Sequence, residues 1–200
     1  MRRYLFTCPA ILVIALAILS GPVSSGGALE CGEWRWGVKT LSDPDASKVD
    51  FDAKRMNVRE LLELSPPGSL SSDTPRLDGI EFETIKIRAR LITASLSANH
   101  DVHLVISTKT RPYNRMIVEF PHPDCPGASK SFHRDAMVRA RRQILRECES
   151  IEHSFEPLEG KATITGVGFF DSVHGQRGVA PNGIELHPAL RFRGDCRMKS

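Results

Sequence analysis

Hydrophobic positions recur with different periods along this chain, and the changes of period divide it into elements. From residue 80 the period is two. Ile85, Ile87, Ala89 and Leu91 fall on one side and Lys86, Arg88 and Arg90 on the other, the pattern of a half-buried strand. Residues 101–107 repeat it, with Val102, Leu104 and Ile106 inward and His103 outward. Residues 115–120 place Met116, Val118 and Phe120 on one face and Glu119 on the other, and Pro121 and Pro123 end the run. These three strands form a meander.

Residues 131–148 switch to helical spacing, with Met137, Ile144 and Cys148, and also Val138 and Leu145, at steps of three, four and seven after a Ser131 cap. Two further strands close the chain, over residues 161–171 and 184–192. The order strand, strand, strand, helix, strand, strand is that of the OB-fold, a five-stranded, partly open Greek-key barrel. Gly166 and Gly168 inside the fourth strand suit the sharp bends or bulges that let a sheet coil. The expected fold is therefore mainly β, an OB-like barrel over residues 80–200; the alternative is an open α+β sheet of the same elements.

Ahead of the barrel, the apolar stretch 34–41 (WRWGVKTL) runs into Ser42, Asp43, Pro44 and Asp45, which favour a turn. Asn57 with Glu60 three residues on predicts a short capped helix carrying Val58, Leu61, Leu62 and Leu64. Residues 65–79, rich in Ser, Pro and Gly, read as an exposed linker. Residues 26–79 thus form an N-terminal arm, in which Trp34 and Trp36 would pack against the barrel. Residues 1–25 pair Arg2 and Arg3 with a 15-residue apolar run and a small-residue tail, the make-up of a secretory signal peptide cleaved near Ser25 or Ala28. The run is shorter than the roughly 20 residues needed to span a bilayer, so no membrane span is expected after cleavage.

A composition of 40% hydrophobic and 26% charged residues suits one globular domain and excludes a disordered or fibrous chain. The formal charge of +3 falls to 25 basic against 24 acidic residues once Arg2 and Arg3 are taken off the 27. A near-neutral chain makes no global case for nucleic acid or an anionic membrane. Removal of Cys8 with the leader leaves Cys31, Cys125, Cys148 and Cys196. In an oxidising compartment this even number reads as two disulfides with three pairings open. The preferred pairing ties the ends of the domain through Cys31 and Cys196 and clamps a loop to the helix through Cys125 and Cys148. The expected address is secreted or periplasmic.

Two blocks resemble a family of uncharacterised exported bacterial proteins. One spans residues 99–120, where Asn99, Asp101 and His103 precede a strand and Met116, Ile117, Val118 and Glu119 lead to Pro121. The other is the run 166–190, GVGFFDSVHGQRGVAPNGIELHPAL. With the entry WGVKTL at residues 36–41 they cover most of the mature chain. Where the family's first block more often has Asp, this chain has Asn99. The resemblance implies export and kinship and carries no chemistry with it.

Alternation puts Asn99, Asp101 and His103 on the outward face of their strand, with Glu119 on the next strand and Glu185 and His187 on the last. Imidazole and carboxylate groups so arranged could bind a divalent metal such as zinc or act as acid and base. The loop 171–182 adds Asp171, His174, Gln176 and Asn182 between Gly175, Gly178 and Pro181, in the position where OB-folds recruit ligand contacts. Lys86, Arg88 and Arg90 make a cationic row with steps of about 7 Å. That row would suit phosphates, yet the outward positions offer almost no aromatic platform for bases. It reads as a solvated face partly neutralised by Glu83 and Glu119.

No P-loop, GxSxG, HExxH, GxGxxG or EF-hand pattern occurs. The expected function is an exported, disulfide-stabilised binding domain for a ligand or envelope protein, using the His174 loop and the adjacent polar strand face. No cofactor is expected and no reaction is assigned. The alternatives are a metal-dependent hydrolase of phosphodiesterase or nuclease type using His103, Glu119, His174 and His187, and a structural envelope protein.

Overall fold

The computed structural model describes residues 31–32, 34–108, 114–149 and 151–199. The leader segment read at residues 1–25 lies outside them. The elements run α1 (Trp36–Lys39), β1 (Asp50–Arg55), α2 (Val58–Leu62), β2 (Glu83–Leu96), β3 (Val102–Ser107), β4 (Arg115–Phe120), α3 (Arg134–Glu147), β5 (Glu156–Phe170) and β6 (Ile184–Met198).

Strand β2 pairs antiparallel with β3, β3 with β4, and β5 with both β6 and β2, while β4 pairs with β6 in parallel. Strands β2 to β6 therefore close a ring with α3 between the third and fourth strands, the OB-like barrel expected. The alternation of Ile85, Ile87, Ala89 and Leu91 holds, since all four are buried while Arg88 and Arg90 are exposed. They meet Leu104, Ile106, Met116, Val118, Phe120, Ile164, Leu186 and Phe192 in one core. The register of β5 on β6 shifts at Gly166 and again before Gly168. At Gly168 a Cβ would lie 2.5 Å from the Ile80 carbonyl oxygen, so a side chain is excluded where the barrel bends.

The last turns of α3 bury Ala140, Ile144 and Cys148 in that core, but Leu145, read as part of the apolar stripe, is partly exposed. Ser131 does not cap α3 directly. The preceding residue of the helix is His133, and the Ser131 hydroxyl accepts the His133 N–H and donates to the Leu41 carbonyl. Helix α2 starts where predicted, with Asn57 and Glu60 completing a reciprocal capping box.

Three features differ from expectation. The apolar stretch 34–41, to which the pattern assigns no element, forms α1, bracketed by left-handed residues Arg35 and Leu41. Strand β1, whose six residues DFDAKR are almost all exposed and carry no apolar alternation, adds in parallel to the edge of β2. The disulfides are Cys31–Cys125 and Cys148–Cys196, with Cα atoms 5.6 and 4.9 Å apart, in place of the preferred pairing. The arm folds back over the barrel and brings Cys31 to the loop after β4, while the end of α3 lies beside the C-terminal half of β6. Bridging of Cys31 to Cys196 is thereby ruled out by position.

The arm is fastened by two buried ion pairs. Arg35 donates to both carboxylate oxygens of Glu81, at 2.8 and 2.7 Å, and to the carbonyls of Thr74, Pro75 and Phe170. Arg76 forks onto Asp43 and also donates to the carbonyls of Val38 and Glu81. Arg76 is the one buried residue of the otherwise largely exposed segment 65–79. Among the described residues no helix is long and apolar enough to cross a membrane.

Candidate functional site

Register gathers most of the outward polar residues on one patch. His103 lies opposite Glu119, Ile117 opposite Glu185, and Glu185 opposite Phe169, so β3, β4, β6 and β5 present these side chains on a shared outer face. The face is covered. Trp34 packs edge-on against Phe169 at 6.2 Å, Trp36 packs edge-on against His187 at 6.4 Å, and the Trp36 indole N–H donates to the Pro126 carbonyl. Lys39 reaches under the arm to Asp171 at 3.0 Å and sits over the Phe169 ring at 5.3 Å. The 171–182 loop lies over the same face, with the Arg177 carbonyl 2.9 Å from His103 Nε2. Gly178 permits that approach, because it has φ +86° and a Cβ there would sit 2.5 Å from Val105.

The result is a buried set of titratable groups. His103 Nδ1 is 2.7 Å from Glu119 Oε1. Burial opposes the His103 charge, but Glu119 and the Arg177 carbonyl outweigh it and hold the imidazole at about 9. Asp101 is raised to about 7 by burial and by the charge of Glu119, although it accepts the His122 N–H at 2.7 Å and the Asn99 amide at 2.9 Å. Burial, followed by the charges of Asp171 and Glu119, lifts Glu185 well above the carboxylate range. Burial and the cations Lys39 and His103 push His187 well below the usual histidine value. For Lys39, burial is overcome by Asp171, Glu185 and Glu119, and its pKa rises. Glu185 Oε2 and both His187 ring nitrogens have no hydrogen-bond partner.

The loop residues serve the loop. The Gln176 side chain accepts the His174 N–H and donates to the Ser172 carbonyl, while the His174 side chain is exposed. Asn182 is buried and donates to the carbonyls of Leu61 and Leu64, which ties α2 to the barrel. Of the nine residues proposed for ligand contact, Asp101, His103, Glu119, Asp171, Glu185 and His187 cluster beneath the arm. Asn182, Gln176 and His174 do not join them. The four residues considered for a metal are likewise split, and among the described residues no three His, Cys, Asp or Glu groups are placed to hold a metal ion.

The outer face of β2, β5 and β6 is different. Arg88 lies opposite Thr163, and Thr163 opposite Arg193; Lys86 lies opposite Thr165, and Thr165 opposite Arg191. Arg55 of β1 adjoins Lys86. These residues line an open groove of about 520 Å³. Neither acid expected to neutralise the row does so, because Glu119 is on the covered face with His103 and Glu83 pairs with Lys54. Sequence reasoning saw Lys86, Arg88 and Arg90 but not Arg55, Arg191 or Arg193. The alternation of Arg191 and Arg193 about the buried Phe192 is the signal that would have added two of them.

Comparison with protein-family models, with curated proteins and with solved structures finds no match to this chain.

Proposed function

We propose that the chain is an exported, disulfide-stapled OB-like domain that acts by binding, and that it takes an anionic ligand on the basic outer face of β2, β5 and β6. The observation that carries this reading is the groove itself. Arg55, Lys86, Arg88, Arg191 and Arg193 line it together, and none of the five is in an ion pair among the described residues. Unpaired guanidinium forks are suited to phosphate, sulfate and carboxylate. Export is supported by the leader-like segment at residues 1–25 and by two disulfides. The ligand surface is moved away from the His103 face because the arm and the 171–182 loop fill that face.

The test is thermal melting of the oxidised protein in inorganic tripolyphosphate against sodium chloride of equal ionic strength. Ligand at 100-fold its Kd stabilises by about 2.7 kcal/mol, which raises the Tm of a chain this size by roughly 5 °C or more. The double variant Arg88→Glu and Arg193→Glu should melt identically in the two salts. Equal shifts in wild type and variant, or no shift in either, overturns the reading.

A further inference from the structure

The cations of the groove form a grid. Along β2, Lys86, Arg88 and Arg90 repeat every second residue, at about 7 Å. Across the strands, Arg88 and Arg193 are separated by one intervening strand, as are Lys86 and Arg191, which sets them about 10 Å apart. Arg55 extends the grid by one more strand, and Lys161 opposite Arg90 extends it along the barrel. At that far end Asp195 lies opposite Lys161, and Glu159 pairs with Arg197, so the unneutralised part has a limit. A single small anion engages only one corner of such a grid.

The filling between the cations is hydroxylic. Thr163 and Thr165 stand on β5 between the two columns of arginine and lysine, both half-buried on the outer face. Among the residues lining the groove there is no aromatic side chain. Stacking platforms are what proteins use to hold unpaired bases, and a nucleic acid on this face would be held by its phosphates alone. Hydroxyls interleaved with cations instead match a polymer that carries both negative groups and hydroxyl groups along its length.

We infer that the occupant of this groove is a stretch of acidic polysaccharide, its carboxylate or sulfate groups on Arg55, Lys86, Arg88, Arg191 and Arg193 and its hydroxyls on Thr163 and Thr165. The inference rests on the anion-binding reading above and names the ligand class for it. Arg forks fix individual acidic groups, the threonines fix the sugar between them, and the length of the grid selects a polymer over its monomer.

The experiment is calorimetric titration of the oxidised protein with heparin-derived di-, tetra- and octasaccharides, inorganic tripolyphosphate and a dT 12-mer, each at several salt concentrations. Affinity is expected to rise at least tenfold from disaccharide to octasaccharide, with a salt dependence reporting four or five contacts. The variant Thr163→Val, Thr165→Val keeps the β-branched shape of both residues. It should weaken the octasaccharide about fivefold or more and leave tripolyphosphate unchanged, with an unaltered melting curve showing that it folds. Tripolyphosphate binding without a gain from oligosaccharide length, or an octasaccharide affinity indifferent to the threonine changes, overturns the polysaccharide assignment and leaves the anion site standing. Binding of the dT 12-mer as tight as that of the octasaccharide overturns it in favour of nucleic acid. Failure of every anion to bind overturns both proposals.

Discussion

His103 and Glu119 face each other across β3 and β4, Nδ1 to Oε1 at 2.7 Å, and the imidazole's other nitrogen is 2.9 Å from the Arg177 carbonyl. The pair sits on a face that alternation assigns to solvent and that the 171–182 loop and the arm together remove from it. With its folded-state pKa near 9 against an ordinary 6.5, His103 contributes stability that is complete below pH 6.5 and is lost as pH rises through 9. The change Glu119→Gln should lower the His103 midpoint, read from its ring-proton shifts in NMR, by more than one pH unit. It should also cost roughly 3 kcal/mol in urea unfolding at pH 7. An unmoved midpoint would show that the pair does not form.

Glu185 and Asp101 act in the same direction. Both carboxyls are raised by burial, Asp101 to about 7, so their protonated forms favour the fold and stability falls as pH rises past their unfolded values. His187, lowered by burial, works the opposite way and loses stability as pH falls below 6.5. Glu185→Gln copies the neutral acid. Denaturant midpoints from pH 5 to 9 should show a shallower alkaline decline in this variant than in wild type, with stability at pH 5 unchanged within about 1 kcal/mol.

How much of this could be read in advance depends on where each residue's neighbours come from. The barrel strands were legible because Ile85, Ile87, Leu104, Ile106, Val118 and Phe120 face a core built by near neighbours of like pattern, and α2 because Asn57 and Glu60 cap it locally. Strand β1 carries no apolar alternation and is held only at one edge. His187 is covered by Trp36 of the arm and His103 by Arg177 of the 171–182 loop, both distant in sequence, and period two cannot tell a face turned to water from one turned to another segment. Arg141 falls at helical spacing between Met137 and Ile144 on the apolar side of α3, where it is buried and donates to the carbonyls of Phe120 and His100.

The buried Arg35–Glu81 pair has every strong acceptor engaged, since Glu81 also takes the N–H groups of Leu77 and Phe170. Glu81→Ala should destabilise by about 3–5 kcal/mol, because Arg35 would be left charged and buried. Adding Arg35→Met to it should recover a large part of that loss in a double-mutant cycle by chemical denaturation. If the double variant is no more stable than Glu81→Ala, the charge is not the cause.

Peptide mapping without reduction should recover fragments joining Cys31 to Cys125 and Cys148 to Cys196. Replacing Cys31 and Cys125 together by serine opens the longer closure, with a sequence separation of 94, and should cost about 2–5 kcal/mol. Recovery of a Cys31–Cys196 fragment would contradict the arm's placement.

Within the 171–182 loop, Asn182→Ala should cost about 1–3 kcal/mol by removing the buried amide that donates to the Leu61 and Leu64 carbonyls, of which that of Leu61 keeps the Leu64 N–H. His174→Ala, on an exposed side chain, should stay within about 0.5 kcal/mol of wild type. Urea unfolding of both variants checks the contrast, and a His174 effect as large as that of Asn182 would show that the loop tip is not free.

The berth of the arm has a consequence for the order in which the molecule can assemble. Trp34, Trp36 and Lys39 lie on Phe169, His187 and Asp171, and Cys31 reaches Cys125. The arm therefore has nowhere to settle until β5 and the start of β6, which carry Phe169 and His187, are in place. Contacts of such long sequence separation form late and at high entropic cost. Until β5 and β6 have paired, Trp34 and Trp36 lack the partners that Phe169 and His187 give them in the fold, so stopped-flow tryptophan fluorescence should report their packing after the barrel has formed.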